Sequence, residues 1–232
     1  MNGIALCGNV ESEIEFSHET KNEKFYSFYL SCMRASGTED IIHCIASQVF
    51  TEKIKVNERI RILGEIRTRN VLDESGKNHL DVFVFVNDVM EAVDFDENAV
   101  IIDGYVCSEI KLRETPSGRN ISDILIASGR RYHKTDYIPC IAWGRYAIKA
   151  SEIPVGTRLC ISGRMQSRIY TKRFEDGKVE ERIAYEVSIS KFDEVKDNED
   201  NDETDNIAEF QRLQKCYIHI RRKECNCMRC EW

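Results

Sequence analysis

The sequence states one unit twice, and that repeat limits the folds open to it more than any other feature. Ile4-Ala5-Leu6-Cys7-Gly8-Asn9-Val10-Glu11-Ser12-Glu13-Ile14 returns 96 positions later as Val100-Ile101-Ile102-Asp103-Gly104-Tyr105-Val106-Cys107-Ser108-Glu109-Ile110. The phase holds without a gap to Cys44-Ile45-Ala46 and Cys140-Ile141-Ala142. It then slips by three residues, so that Val56, Arg59, Ile62 and Gly64 match Val155, Arg158, Ile161 and Gly163. A period of about a hundred residues is domain-sized and too long for a solenoid. Two domains, 1–97 and 98–195, followed by a tail at 196–232, are therefore expected.

Each unit reads as short strands. In the second, Ile121 to Ala127 and Tyr137 to Trp143 are strand-like runs. Leu159 to Tyr170 alternates: Leu159, Ile161, Met165 and Ile169 on the core face, Arg158, Arg164, Gln166, Arg168 and Tyr170 on the other. Asp176-Gly177 signals a hairpin, with Tyr185 to Ile189 as the returning strand. A short helix fits 144–152, before Pro154 and Gly156. Five strands with a helix after the third predict an all-β chain of two tandem OB-folds, small partly open Greek-key barrels. Gly64 and Gly163 fall mid-strand, where such a barrel needs a bend or bulge.

Charge divides by unit. Residues 1–97 carry 10 Lys+Arg against 18 Asp+Glu, residues 98–195 carry 16 against 13, and residues 196–232 carry 7 against 9. The second unit is thus basic within a chain of net charge −7, which points to divided roles. No run approaches the roughly 20 apolar residues of a membrane-spanning helix. Met1 to Leu6 lacks the basic start and long apolar run of a signal peptide, so a cytoplasmic location (the bacterial nucleoid) with reduced cysteines is expected. No phosphate-binding glycine loop occurs, and the His residues at 18, 43, 79, 133 and 219 lack a convincing nucleophile or carboxylate partner, so no enzyme and no cofactor is expected.

Val100 to Val106, Thr115-Pro116-Ser117-Gly118, Trp143-Gly144-Arg145 and Gly163-Arg164-Met165-Gln166-Ser167-Arg168-Ile169-Tyr170, in that order and spacing, resemble the bacterial single-stranded DNA-binding protein family. Leu6 to Val10 and Gly64 to Arg69 carry the likeness into the first unit, giving its tandem two-barrel form. The resemblance implies a non-enzymatic protein that coats exposed strands in DNA replication, recombination and repair. It also implies a homodimer, since the family places four OB domains in one assembly.

A sequence-tolerant binder needs a cationic groove and aromatic platforms. Tyr137 and Trp143, six apart, share one face of a strand, and Arg164, Arg168 and Tyr170 share the non-core face of another. Arg119, Arg130, Arg131, Lys134, Arg145, Lys172 and Arg173 are candidates for phosphates. The resemblance places stacking rings at Tyr137, Trp143 and Tyr170, with Tyr132 as a further match. In the first unit Ile41, Ser47 and Val71 stand where Tyr137, Trp143 and Tyr170 stand in the second, and Glu65 replaces Arg164. Its own rings at Phe25, Tyr26, Phe28, Tyr29, Phe50, Phe83 and Phe85 read mainly as core, with Tyr29, Phe83 and Phe85 also suited to a subunit contact. The first unit is therefore expected to bind DNA weakly or not at all, and fragment 98–195 to keep most of the affinity.

Six of the nine residues from Asp197 to Asp205 are acidic, which predicts a solvated linker. Ile207, Phe210, Leu213 and Tyr217 then mark an amphipathic helix stripe. By resemblance the tail would recruit replication and repair proteins, although the acidic run here is not terminal. Cys216, Cys225, Cys227 and Cys230 form the one metal-like spacing, but zinc knuckles usually carry two separated Cys-x-x-Cys pairs and one stands here, so no metal is expected. Two other readings stay open: an OB-fold interaction module of the primosome machinery, favoured by the acidic first unit, and an RNA-binding OB protein.

Overall fold

Period-two alternation carries the chain into strands at almost every step. The computed structural model describes residues 1–72, 76, 78–130, 134–173 and 179–195. The first copy folds as β1 (Asn2–Val10), β2 (Glu15–Thr20), β3 (Glu23–Met33), β4 (Glu39–Ser47), a 3-10 segment at Gln48–Lys53, β5 (Arg59–Leu72) and β6 (Asn78–Met90). The second folds as β7 (Glu97–Val106), β8 (Lys111–Glu114), β9 (Asn120–Gly129), β10 (Thr135–Trp143), α1 (Arg145–Ser151), β11 (Arg158–Arg173) and β12 (Val179–Glu194).

Each copy closes into a five-stranded barrel. β1 pairs with β5 for most of its length and with β3 at its far end, Asn9 to Ser31 and Val10 to Leu30. β4 runs parallel to β6 at Cys44 and Val84, which completes the circuit. β7, β9, β10, β12 and β11 repeat the pattern, with Tyr105 against Ala127 and Cys140 parallel to Val187. This is the expected OB plan with one addition: a short edge strand, β2 or β8, hairpinned onto β3 or β9. The tail from Lys196 and the Asp176-Gly177 turn lie outside the described residues.

The mid-strand glycines act as expected. The β5–β6 register slips between Leu63 and Gly64, and the β11–β12 register slips between Ser162 and Gly163. A Cβ at Gly64 would stand 2.3 Å from the Phe85 carbonyl oxygen, and one at Gly163 would stand 2.4 Å from that of Ser188. Only a residue without a side chain lets the bulged strand cross so close to its neighbour.

Ile169 departs from the expected core stripe. Leu159, Ile161 and Met165 are sealed inside, but Ile169 is 68% exposed. β11 meets β7 only as far as Gly163 and β12 meets β10 only at Val187 and Ser188. Beyond Met165 the two strands pair only with each other, so alternation there has no barrel interior to fill.

The barrels join along β1 and β7, which pair antiparallel about a pseudo-two-fold axis. Ile4 pairs with Val100, its own match in the repeat. Gly3 pairs with Ile101, and their respective matches, Ala99 and Ala5, pair with each other. Two side-chain clamps obey the same symmetry. Arg34 grips Asp40 at 2.6 and 2.5 Å, and Asp40 accepts the Ser167 N–H of the other barrel at 2.9 Å. Arg130 grips Asp136 in the same bidentate fashion, and Asp136 accepts the Thr68 N–H at 2.6 Å. The hydroxyls answer in kind: Ser167 Oγ accepts the Ile41 N–H and Thr68 Oγ1 accepts the Tyr137 N–H, each at 3.0 Å. Both carboxylates are fully buried.

These contacts change how the two units are to be tested. Fragment 98–195 alone would bare the edge of β7 and strip Asp136 of its Thr68 donors, so binding by the second unit is tested in the full chain. A buried carboxylate is tolerable only while its donors stand. Asp136→Ala and Asp40→Ala should each lower full-chain stability by about 3 kcal/mol, because each takes the carboxylate from an arginine and from a buried backbone N–H. Urea unfolding checks this; a loss below about 0.5 kcal/mol, the level of an ordinary surface change, would show that the clamps do not hold the barrels together.

Candidate nucleic-acid interface

Strands of the second barrel turn alternate side chains outward, and these build one continuous face. Along β10, Ile138, Cys140 and Ala142 point into the core, while Tyr137 and Trp143 stand outside, 48% and 38% exposed. Ile141 lies between them, covered by its neighbours. Two strands away, Tyr170 is 36% exposed on β11. All three predicted rings therefore meet solvent on the outer wall.

The predicted cations divide into three groups. Arg168 is exposed beside Tyr170, its guanidinium 5.8 Å from the ring and its Nε 3.7 Å from Glu186. Arg145, at the start of α1, and Arg119, in the β8–β9 hairpin, are exposed, as is Lys134. Arg130 belongs elsewhere: its guanidinium is committed to Asp136 and to the Thr68 carbonyl at 3.1 Å, so it locks the barrels together and is not presented to a phosphate. Arg164 is half-buried and donates to Gln166 Oε1 at 3.2 Å, with its Nε buried and lacking a partner. Burial pulls its pKa down, as does nearby Arg34, against the pull of Asp40. Lys172 and Arg173 continue β11 by pairing with Glu180 and Val179, but their side chains lie outside the described residues, as do Arg131, Tyr132 and the four tail cysteines.

Two charged groups on this face were missed in the sequence. Arg113 of β8 makes a bidentate pair with Asp123 at 2.7 and 2.9 Å. The Lys111-x-Arg113 alternation before the Thr115–Gly118 turn was the available signal. Glu186 of β12 accepts a hydrogen bond from Gln166 Nε2 at 2.7 Å. Among the described residues no cluster of His, Cys, Asp and Glu is fit to hold a metal, and no helix is long and apolar enough to cross a membrane.

Residues 97–195 match the sequence model of the Single-strand binding protein family. The match covers the second barrel and leaves the first outside it. The wild-type single-stranded DNA binding protein of Thermus aquaticus superposes with a TM-score of 0.69 at 17% identity, over 87% of this chain and 96% of that one. A deletion mutant of the same protein gives 0.66 at 18% identity, over 85% and 96%. Likeness at this identity concerns the fold, and it spans both barrels. No curated protein sequence matches the chain.

The first barrel lies outside the family match, and its outer face differs in kind. Phe28 is core, as expected, and Phe50 packs against it. Phe25, Phe83 and Phe85 instead gather around Ile45 in a separate cluster on the outer wall. Arg67 lies 3.5 Å over the Phe85 ring and Arg69 lies 5.2 Å over that of Phe83. His18 stacks on Phe25 at 4.8 Å, and Tyr29 on His43 at 5.3 Å. The rings have moved from the strand positions of Tyr137 and Trp143 onto β3 and β6. There Arg67, Arg69 and His18 already cover the rings; Phe83 is 7% and Phe25 8% exposed.

His43 sits within this sealed wall. Burial lowers its pKa below the usual 6.5; Asp81 pulls it up and Arg69 pulls it down. The unfolded chain therefore binds this proton more readily than the fold, so the contribution to stability is present above about pH 6.5 and is lost as pH falls. The urea midpoint should drop from about pH 7 to about pH 5, and His43→Gln should drop less. Equal pH slopes for both proteins would show that His43 is not held neutral.

Proposed function

We propose that this chain is a non-enzymatic single-stranded DNA-binding protein whose contact surface is the outer wall of the second barrel. The observation that carries the proposal is the exposure of Tyr137, Trp143 and Tyr170 beside Arg168, in the unit that matches the family. Aromatic faces stack on successive bases whatever their identity, and arginine and lysine displace counterions from phosphates. Tyr137, Trp143, Tyr170, Arg168, Arg145 and Arg119 supply those groups, with Tyr132, Arg131, Lys172 and Arg173 as further candidates. The cellular task that fits is protection of exposed strands in replication, recombination and repair. The first barrel, with its rings under guanidinium caps, contributes little to DNA binding and serves assembly.

Trp143→Ala and Tyr137→Ala in the full chain should each weaken binding of a labelled oligothymidine by about 1–3 kcal/mol. Phe85→Ala in the first barrel should change it by less than about 0.5 kcal/mol. Fluorescence anisotropy at several salt concentrations measures both, with log affinity falling linearly against log salt. Loss of affinity in Phe85→Ala but not in Trp143→Ala would reverse the assignment of the barrels.

Two barrels per chain support a homodimer that places four barrels in one assembly. Sedimentation equilibrium at micromolar concentration should give twice the chain mass. A single species of one chain mass would refute the dimer and leave the DNA-binding reading standing.

A further inference from the structure

Glu186 sits where a DNA-binding face has least use for an anion. It faces Gln166 across the β11–β12 ladder, and the parallel pairing of Cys140 with Val187 brings Pro139 of β10 alongside it. Glu186 thus lies between the strand that carries Tyr137 and Trp143 and the strand that carries Arg168 and Tyr170. Tyr137, two residues before Pro139 on the same strand, turns its ring to the same side of the sheet. The fold does not demand an acid here: the corresponding position of the first barrel holds Phe83.

The carboxylate is only partly engaged. Its side chain is 12% exposed, and Oε1 takes both the Gln166 donor at 2.7 Å and the Arg168 Nε at 3.7 Å. Oε2 accepts from no described residue. Gln166 is partly engaged as well: its Oε1 accepts from Arg164 at 3.2 Å and its Nε2 donates to Glu186. The open group at the centre of the face is therefore a carboxylate oxygen. It repels phosphate and attracts an N–H donor.

A base stacked on Tyr137 brings such donors on its edge. We infer that Glu186 reads that edge, favouring a base with an exocyclic amino group, cytosine above all, over thymine or uracil. The carboxylate accepts from the N4 amino group of cytosine. At the same position thymine and uracil carry a carbonyl oxygen, which repels it. This rests on the proposed DNA-binding reading and adds a base preference to a face whose stacking and phosphate contacts are sequence-tolerant.

The test compares full-chain binding to oligodeoxycytidine and oligodeoxyuridine of equal length, at mildly alkaline pH and fixed salt. Those bases share stacking area and lack the thymine methyl; they differ at the 4-substituent and at N3, and the Glu186→Gln comparison isolates the part that depends on the carboxylate. The wild-type chain should bind the cytidine oligomer about fivefold or more tightly, the low end expected for one base-edge contact. Glu186→Gln keeps the shape and an acceptor for Gln166 and Arg168 but offers its own amide donor to a carbonyl. It should bring the two affinities within about twofold, below the discrimination expected of one such contact. A purely structural glutamate would give equal affinities in the wild-type chain, or a preference that survives in Glu186→Gln; either result overturns the inference while leaving DNA binding intact. Failure of the wild-type chain to bind any homopolymer overturns the DNA-binding reading and this inference together.

Discussion

The joint between β1 and β7 determines what the rest of the molecule is. Each strand is an edge of its own barrel, and an unpaired edge invites aggregation. Pairing the two about the Ile4–Val100 axis removes both edges at once. The clamps then make the joint specific. Asp40 and Asp136 are fully buried, and each accepts a backbone N–H from the other barrel. The barrels therefore stand in one compact unit, Met1–Val195, and the two outer walls are held at fixed positions within it.

That symmetry of the joint contrasts with the asymmetry of the walls. Inside the barrels the two copies keep equivalent residues at the bulges, the axis and the clamps. On the outer walls they have parted. The second copy leaves rings half in water next to cations, whereas the first covers its rings with Arg67 and Arg69. A stacked guanidinium already supplies the planar contact a base would make, so the first wall has little free ring surface to offer. The outer walls differ while the interior that both copies share is kept.

Much of this was legible in the sequence because it depends on period and spacing. The strands, the helix near 145–151, the bulges at Gly64 and Gly163, and the outward direction of Tyr137, Trp143 and Tyr170 all follow from alternation. Partnerships across the joint do not. Arg130 reads as a surface cation because Asp136 is six residues away and Thr68 belongs to the other unit. The Arg34 and Asp40 pair at the same spacing in the first copy was a signal that the motif serves both copies alike, which a DNA contact confined to one copy would not do. Ile169 misled for a related reason: alternation reports which residues share a face, not whether a core lies beneath it. Glu186 was hidden because a single acid in a strand looks like any solvated position.

One indole, that of Trp143, is proposed to lie on the path of the bound strand. The chain has two tryptophans, so Trp232→Phe leaves Trp143 as the sole reporter. Titrating that full-length variant with oligothymidine should quench its emission to a saturable plateau, with a midpoint that matches the affinity measured by anisotropy. DNA binding that proceeds while Trp143 emission stays unchanged would contradict the claim and move the contact surface to another wall of the molecule.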